Sequence, residues 1–538
     1  MKRARSPHIE LTQEFRHTLG LLEDTRRHVF VTGRAGTGKS TLLQEFRRRT
    51  RKNVAVLAPT GVAAVNVSGE TIHSFFRFRP DITPDRVRRV SKARQELYRS
   101  LDTVVIDEVS MVRADLLDCV ARFLELNGPE PGRPLGGVQL ALFGDLYQLA
   151  PVVQQQERGL FQGDYYESPY FFSARCLQGV ELAWAELTWT FRQHDEAFLS
   201  VLNAIRNSTV TAEELALLNA RLRQDIRPEE LGDHTFLTTT NDRASRINRE
   251  QLDRLPGREH LFHAEVQGEF DPRAFPTEPE LRLKEDARVM LLSNDPLGRW
   301  INGTMGTIGA IDPGAERLTV VLPDGAEEEL APYRWDMYRF ELDAGTLKAR
   351  SVGQFIQLPV RLAWAITVHK SQGLTLDRVV VDLSRGTFAH GQLYVALSRL
   401  RTLEGLLLTR PVKRGHILLD RRVQGFITGY QYRQADARQP LEEKLEVIRQ
   451  AIRDGRDLEL AYLKASDERS RRRVTPLEVG PMAYGGKTFP GLRAYCHTRR
   501  EERVFRVDRI LELVTSHGGG VRAKPKVVGA GVGPQVRP

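Results

Sequence analysis

The chain has 538 residues, of which 41% are hydrophobic and 28% charged, a composition typical of soluble globular proteins. This length exceeds what a single hydrophobic core can organise, so we expect several domains. Lysine and arginine outnumber aspartate and glutamate by 79 to 69, and the resulting charge of +10 favours a polyanionic partner. The three cysteines lack metal-ligand spacing and no apolar run is long enough to span a membrane, so we expect a protein of a reducing compartment without membrane association.

After a stretch of helical apolar spacing at residues 8–27, a glycine-rich motif at 33–40 separates the apolar run 28–31 from a predicted helix. The glycines allow consecutive backbone N–H groups to surround an anion, and the helix N-terminus adds its positive dipole end. Lys39 would reach the β- and γ-phosphates of a nucleoside triphosphate, and the Ser40 hydroxyl would ligate Mg²⁺. The residues predicted to surround the nucleotide are Gly33, Ala35, Gly36, Thr37, Gly38, Lys39, Ser40 and Thr41.

Three further apolar segments, at residues 54–58, 103–106 and 138–143, predict strands of the same sheet. Near-continuous apolar strands separated by helical stretches are typical of a parallel sheet with both faces covered. Polar residues follow these strands, and open α/β sheets bind their ligands at that edge.

Two of these strand ends carry residues suited to phosphoryl transfer. Asp107 would hold the magnesium ion, and Glu108 would orient and deprotonate the attacking water. Gln148 follows the next strand, and its amide can donate to the γ-phosphate while accepting from the water. Paired acids at a strand end are often solvated turn residues, but the nearby phosphate loop favours the catalytic interpretation.

A second α/β pattern begins near residue 181, with predicted strands at 235–238, 378–383 and 405–409. Between the first two, short alternating runs and turn signals predict a small inserted β-barrel. Arg192 and Arg399 are candidates for guanidinium groups that stabilise charge on the transferred phosphoryl. Most arginines only solvate a surface, so spacing alone does not select these two.

Six segments in chain order resemble the motifs of superfamily-1 DNA helicases and, more narrowly, those of the Pif (petite integration frequency) family. They are residues 33–40, 59–64 with 69–76, 107–111, 135–140, 367–375 and 394–399. The resemblance extends to about residue 415. It implies ATP held between two RecA-like domains and translocation along single-stranded DNA in the 5′-to-3′ direction.

The expected fold class is therefore α/β, with two RecA-like parallel-sheet domains. Domain 1A would comprise residues 1–180, with 76–98 as a small inserted 1B wedge. Domain 2A would comprise 181–430, interrupted at about 255–355 by an SH3-like 2B barrel. A C-terminal domain at 436–515 would precede a disordered basic tail at 516–538.

The resemblance also implies roles for individual residues. Arg192, Arg399 and the pair Gln372 and Gly373 would face the nucleotide from the second domain, and Gln13 would read the adenine. The implied DNA contacts in the motor are Thr60, Thr71, His73, Phe75, Tyr147, Asn241, Thr367, His369 and Lys370. For Phe75 a core position is at least as compatible with the sequence, because paired aromatics usually fill space.

The C-terminal region resembles a WYL domain at Tyr462 and at residues 471–478, 492–496 and 502–510. Pro-Gly-Leu stands at 490–492 where the name-giving triplet is expected. Such domains are small Sm-like β-barrels that bind nucleic acid or nucleotides, which implies DNA contacts at Arg472, Arg493 and Arg506. The alternative is a stabilising appendage with a solvated basic face.

These patterns together predict an ATP- and Mg²⁺-dependent DNA helicase that acts on single-stranded, forked or structured DNA. We expect a free monomer in the bacterial cytosol or nucleoid, in a family with repair, recombination and telomere roles. One alternative is a translocase that remodels DNA complexes without separating strands. Another is a WYL-type regulator with a relic ATPase, which the intact Lys39, Asp107, Glu108, Gln148 and Arg399 disfavour.

Overall fold

The computed structural model describes residues 12–161, 165–190, 195–223, 226, 232–343, 345–383, 390–463, 469–484 and 487–515. Arg192 and the predicted tail 516–538 lie outside the described residues. The chain divides into two compact units, Met1–Asn203 with Thr211–Leu418 and Ala204–Val210 with Leu419–Pro538. No helix in the described part of the chain combines the length and apolarity that crossing a membrane requires.

A parallel sheet forms the first part of the larger unit. Its strands are β1 (His28–Gly33), β2 (Val54–Ala58), β3 (Glu70–Thr71), β4 (Thr103–Ile106), β5 (Gln139–Phe143) and β6 (Leu182–Leu187). They lie in the order β3-β2-β4-β5-β1-β6. The helices of this part are α1 (Gln13–Glu23), α2 (Lys39–Arg49), α3 (Gly61–Asn66), α4 (Ile72–Phe76), α5 (Lys92–Arg99) and α6 (Ala114–Asn127). The strands predicted from the apolar runs are confirmed as β1, β2, β4 and β5. As expected for a sheet covered on both faces, β4 and β5 are buried along their whole length.

The second parallel sheet contains β7 (Thr235–Thr238), β18 (Ala365–Thr367), β19 (Val379–Val381) and β20 (Leu406–Leu408) in the order β18-β7-β19-β20. It confirms the three predicted strands, with β7 at the predicted bounds and β19 and β20 shorter than predicted. The expected start of this pattern near residue 181 is wrong, because β6 pairs with β1 in the first sheet. The helices in this stretch of the chain are α7 (Glu196–Arg206), α8 (Ala212–Asn219), α9 (Asn241–Arg254) and α10 (Gln392–Leu397).

Antiparallel β-structure is inserted between β7 and β18. Its strands are β8 (His260–His263), β9 (Glu265–Gly268), β10 (Glu280–Leu283), β11 (Arg288–Leu291), β12 (Met305–Asp312), β13 (Arg317–Val321), β14 (Glu327–Leu330), β15 (Tyr333–Asp343), β16 (Thr346–Gln357) and β17 (Val360–Leu362). They pair as β14-β13-β12-β11-β17, as β15-β16-β9 and as β10-β8. The predicted insertion of β-structure is therefore present, and these pairings describe open sheets.

The smaller unit contains α11 (Arg421–Arg438), α12 (Leu441–Arg453) and an antiparallel sheet. The strands are β21 (Leu458–Leu463), β22 (Arg469–Tyr484), β23 (Lys487–Cys496), β24 (Glu501–Arg506) and β25 (Ile510–Thr515), in the order β24-β23-β22-β21-β25. The helix predicted at 441–453 is confirmed, and its Ile448 packs in a core with Leu458 and Leu492.

An aromatic cluster fixes α4, which carries several of the predicted DNA contacts, against α5 and α6. The Phe76 ring lies 4.9 Å from Phe75, 5.4 Å from Phe78 and 5.1 Å from Phe123 between ring centroids. The Tyr98 hydroxyl donates to the Phe75 carbonyl oxygen at 2.8 Å. The cluster therefore supports the segment that follows β3.

We predict that Phe76→Ala lowers the free energy of unfolding of the larger unit by about 3–5 kcal/mol, because the 1% exposed ring leaves a cavity among its neighbours. Urea denaturation followed by circular dichroism measures this change. Leu261→Ala, at an exposed position on β8, is the control and should change stability far less. Equal effects of the two substitutions would contradict the assignment.

Candidate nucleotide site and nucleic-acid interface

The loop between β1 and α2 has the backbone conformation of an anion-binding loop. Gly36 and Gly38 have φ of 81° and 84°, a region that side chains rarely adopt. A Cβ on Gly33 would lie 2.6 Å from the Leu187 carbonyl oxygen, so only glycine fits beside β6. The Lys39 ammonium donates to the carbonyl oxygens of Gly33 at 2.8 Å and Arg34 at 3.1 Å. The cation thus lies within the loop that the sequence predicts to surround phosphates.

Two carboxyl groups follow β4. Asp107 is buried, and burial raises its pKa. Glu108 has a left-handed backbone conformation with φ of 49°. Burial, and secondarily the charge of Asp107, raises the pKa of Glu108 to about 7. The positive charges of Lys39 and Arg399 oppose that rise in the pKa of Glu108.

The loop after β5 follows the strand that lies next to β4 in the sheet. Asp145 is fully buried and accepts from the Tyr147 backbone N–H at 3.1 Å, which shapes the turn. The Gln148 side chain donates weakly to Asp145, at 3.5 Å, and is buried. The sequence predicted Gln148 as a phosphate sensor but did not identify Asp145, which holds its loop.

Helix α10 of the second sheet domain packs against this edge of the first. The Ala35 backbone N–H donates to the Tyr394 hydroxyl at 3.4 Å. A Cβ on Gly391 would lie 2.2 Å from the Gln148 carbonyl oxygen, so the helix begins in close backbone contact with that loop. Tyr394 was missed by the sequence reasoning, although it begins the motif that ends at Arg399.

Arg399 is 2% exposed and held by its own domain. Its Nε donates to the Val395 carbonyl oxygen at 2.9 Å, and its other nitrogens reach Ser398 and the Ser371 carbonyl. Next to it, the Gln372 side-chain nitrogen is buried without a hydrogen-bond partner among the described residues. A buried donor without a partner suits a site that receives an anionic oxygen. Gly373 is exposed at the same turn.

Ser40 and Asp107 offer a hydroxyl and a carboxylate oxygen, the hard donors that Mg²⁺ prefers. Ser40 is exposed in the first turn of α2, and Asp107 is buried directly after β4. The donor chemistry therefore fits magnesium. Within the described chain, no group of three or more His, Cys, Asp or Glu side chains is placed to hold a metal ion.

The predicted DNA contacts divide into three groups by exposure. Thr60, Asn241, His369 and Lys370 are exposed, and Thr71 and His73 are half-buried. Thr60 and Thr71 cap α3 and α4, accepting from the backbone N–H groups of Ala63 and Ser74. Phe75, Tyr147 and Thr367 are buried instead. Phe75 packs its ring against Phe76, Tyr98 and Phe340, which is the core position left open by the sequence.

In the smaller unit, several of the arginines are paired with acidic residues. Arg493 donates to Glu478 at 2.7 Å and lies 3.8 Å from Glu502. Arg506 donates to Asp508 at 2.5 Å and covers the Phe489 ring at 5.1 Å. Among the described residues, the Arg472 side chain donates only to the Ser470 hydroxyl, at 3.3 Å. Of the three arginines predicted to contact DNA, Arg472 is the one without an acidic partner among the described residues.

Comparisons with known proteins agree with this geometry. The PIF1-like helicase family model matches residues 13–214, and the WYL domain model matches residues 443–515. The ATP-dependent DNA helicase Pif1 of Bdellovibrio bacteriovorus is 35% identical over 412 residues, covering 74% of this chain and 88% of that protein. Several vertebrate relatives are longer, and the matched region spans 57–58% of their length.

This chain is also similar to solved structures of Pif1 helicases. Pif1 of Bacteroides sp. in complex with ADP-AlF4 has a TM-score of 0.73 at 36% identity, covering 79% of this chain and 97% of that one. Bacteroides Pif1 in complex with ADP-AlF3 and ssDNA has a TM-score of 0.56 at 36% identity, covering 79% and 98%. The chain therefore belongs to the PIF1-like helicase family and carries a C-terminal WYL domain.

Proposed function

We propose that the protein is an ATP-dependent DNA helicase that translocates 5′ to 3′ on single-stranded DNA and unwinds forked or structured DNA. The observation that carries this proposal is the contact between the phosphate loop of one sheet domain and helix α10 of the other, where the Ala35 N–H donates to the Tyr394 hydroxyl and Gly391 lies against the Gln148 carbonyl oxygen. A nucleotide bound there touches both domains, so its hydrolysis can change their separation. Family membership supports the activity, since the Bdellovibrio relative is named an ATP-dependent DNA helicase.

Each charged group in the cleft has a distinct role in the proposed chemistry. Lys39 exchanges the loop carbonyl oxygens for the β- and γ-phosphates of ATP, because phosphate is the stronger acceptor. Glu108 removes a proton from the attacking water, and Gln148 orients that water. Arg399, together with Arg192 in the same proposal, stabilises the charge that spreads over the transferred phosphoryl group. Ser40 and Asp107 would hold Mg²⁺, which neutralises phosphate charge when bound.

The proposed DNA track runs over the exposed polar residues at strand ends of both sheets. Thr60 and Asn241 lie at the starts of α3 and α9, and His369 and Lys370 follow β18. Hydroxyl, amide and cationic groups at such positions suit phosphate contacts. Burial lowers the pKa of His73, the charges of Arg273 and Arg113 lower it further, and the charge of Asp115 opposes them.

We further propose that residues 76–98 form a wedge, that the first sheet domain extends through β6 rather than ending at residue 180, and that the inserted β-structure is an SH3-like 2B barrel. The antiparallel pairing of β11 with β12, β12 with β13 and β13 with β14 provides the strand order from which such a barrel would be built. We also propose that the free protein is a monomer and that the WYL domain adds a grip on single-stranded DNA.

The direct test is strand separation on duplexes with a 5′ or a 3′ tail, followed by gel electrophoresis. We predict ATP-dependent unwinding of the 5′-tailed duplex, and none by Lys39→Ala, which removes the phosphate-binding cation. A translocase that only remodels complexes would hydrolyse ATP on single strands yet leave both forks intact. Unwinding of the 3′-tailed substrate alone would refute the proposed direction.

The raised pKa of Glu108 predicts the pH dependence of hydrolysis. A carboxyl base acts only when deprotonated, so kcat/KM for single-strand-stimulated ATPase should rise with pH and level off above about 7. Glu108→Gln should lower turnover by about 10²- to 10⁴-fold while ATP binding persists. A pH-independent kcat/KM in the wild type, or near-normal turnover by the variant, would assign the base to another group.

The WYL domain proposal is tested by comparing two of its arginines. Arg472→Ala should weaken single-strand affinity and reduce the log–log salt slope by about one unit, as expected for one lost phosphate contact. Arg493→Ala is the matched control, because Glu478 and Glu502 already balance its charge. Fluorescence anisotropy of a labelled oligonucleotide over a salt series measures both. Unchanged affinity and slope for Arg472→Ala would contradict the proposed grip.

A further inference from the structure

The order of the strands around the phosphate loop gives the bound nucleotide a direction. β4 and β5, which carry Asp107, Glu108 and Gln148, lie on one side of β1, and β6 lies on the other. The γ-phosphate must face the groups that act on it. The nucleoside end of the molecule therefore extends towards β6, away from the acids.

The end of β6 is held close to the phosphate loop and to the start of α1. Gly33 and Leu187 are register partners in the parallel pairing of β1 with β6. The Thr188 backbone N–H donates to the Glu14 carboxylate at 3.0 Å, and the Thr188 hydroxyl donates to the same group. Glu14 directly follows Gln13, the first residue of α1. These contacts place residue 189 beside the nucleoside end of the loop.

Trp189 occupies that position with 64% of its surface exposed. Trp300, Trp335 and Trp364 are each less than 10% exposed, as is usual for so large an apolar ring. An indole left in solvent forgoes a substantial burial free energy. An exposed aromatic face beside a nucleoside site is the surface on which a purine can stack.

We propose that Trp189 is a specificity residue whose indole ring stacks on the adenine of bound ATP. The Glu14–Thr188 contact acts as the positioning element that holds the ring at the nucleoside end. This assignment rests on the proposed nucleotide site, because it needs the triphosphate to lie on residues 33–40. It adds a stacking surface for the base next to Gln13, the residue expected to read the adenine edge.

The test separates base binding from phosphate binding. Trp189→Ala should raise the KM for ATP and the Kd for ADP by about tenfold, as expected for the loss of one base–aromatic stack. Trp189→Phe, which keeps an aromatic face, should restore most of the affinity. Inhibition of the ATPase by inorganic tripolyphosphate, which has no base, should be the same in all three proteins. Leu261→Ala, at an exposed position on the inserted β-structure, is the surface control.

Tryptophan fluorescence provides a readout that does not depend on turnover. ADP should quench the emission of the wild type, and the quenching should be largely lost in Trp189→Phe. Equal KM for ATP in the wild type and Trp189→Ala, or an equal loss of tripolyphosphate and ADP binding, would overturn the stacking proposal. Lys39→Ala should instead weaken both ligands, so failure of the nucleotide site itself is distinguishable from failure of the stacking surface.

Discussion

Two adjacent carboxyl groups lie at the end of β4, Asp107 buried and Glu108 half-buried. Desolvation raises the pKa of both, and the charge of Asp107 further raises that of Glu108. Lys39 and Arg399 counter this with positive charge, one from each parallel-sheet domain. The charge state of the acids consequently depends on how the domains meet. A bound triphosphate would add negative charge to the same space, so nucleotide, acids and both cations form one coupled electrostatic system.

Other contacts in the motor hold the two sheet domains together near these acids. The close approach of Gly391 to the Gln148 carbonyl and the contact between Ala35 and Tyr394 hold α10 against the phosphate loop. The carbonyl partners of Arg399 fix its guanidinium within its own domain. An arginine fixed in this way moves with its domain, so a change in the cleft is transmitted to the acids.

The C-terminal sheet presents a different balance of charge. Arginine is abundant there, but pairs such as Arg473 with Asp457 and Arg493 with Glu478 neutralise much of it. The pair of Arg493 with Glu478 is exposed and contributes little to stability, since solvent screens it, whereas Asp457 is buried. Within the described part of this sheet, such pairs leave Arg472 without an acidic partner, so arginine density alone overstates the DNA-binding surface.

Local features of the sequence determined the phosphate loop, the strands β1, β2, β4, β5 and β7, and helix α12, because each depends on neighbouring residues. The glycines of residues 33–40, the continuous apolar runs and the helical spacing of α12 are signals of short range. The motifs also identified Glu108 and Arg399 as partners in one family pattern. The sequence did not determine that Phe75 is buried, that Tyr394 contacts the phosphate loop, or that Thr188 is bound to Glu14. Those outcomes join residues far apart in the chain, and only the packing of α-helices and sheets brings their atoms within hydrogen-bonding or van der Waals distance.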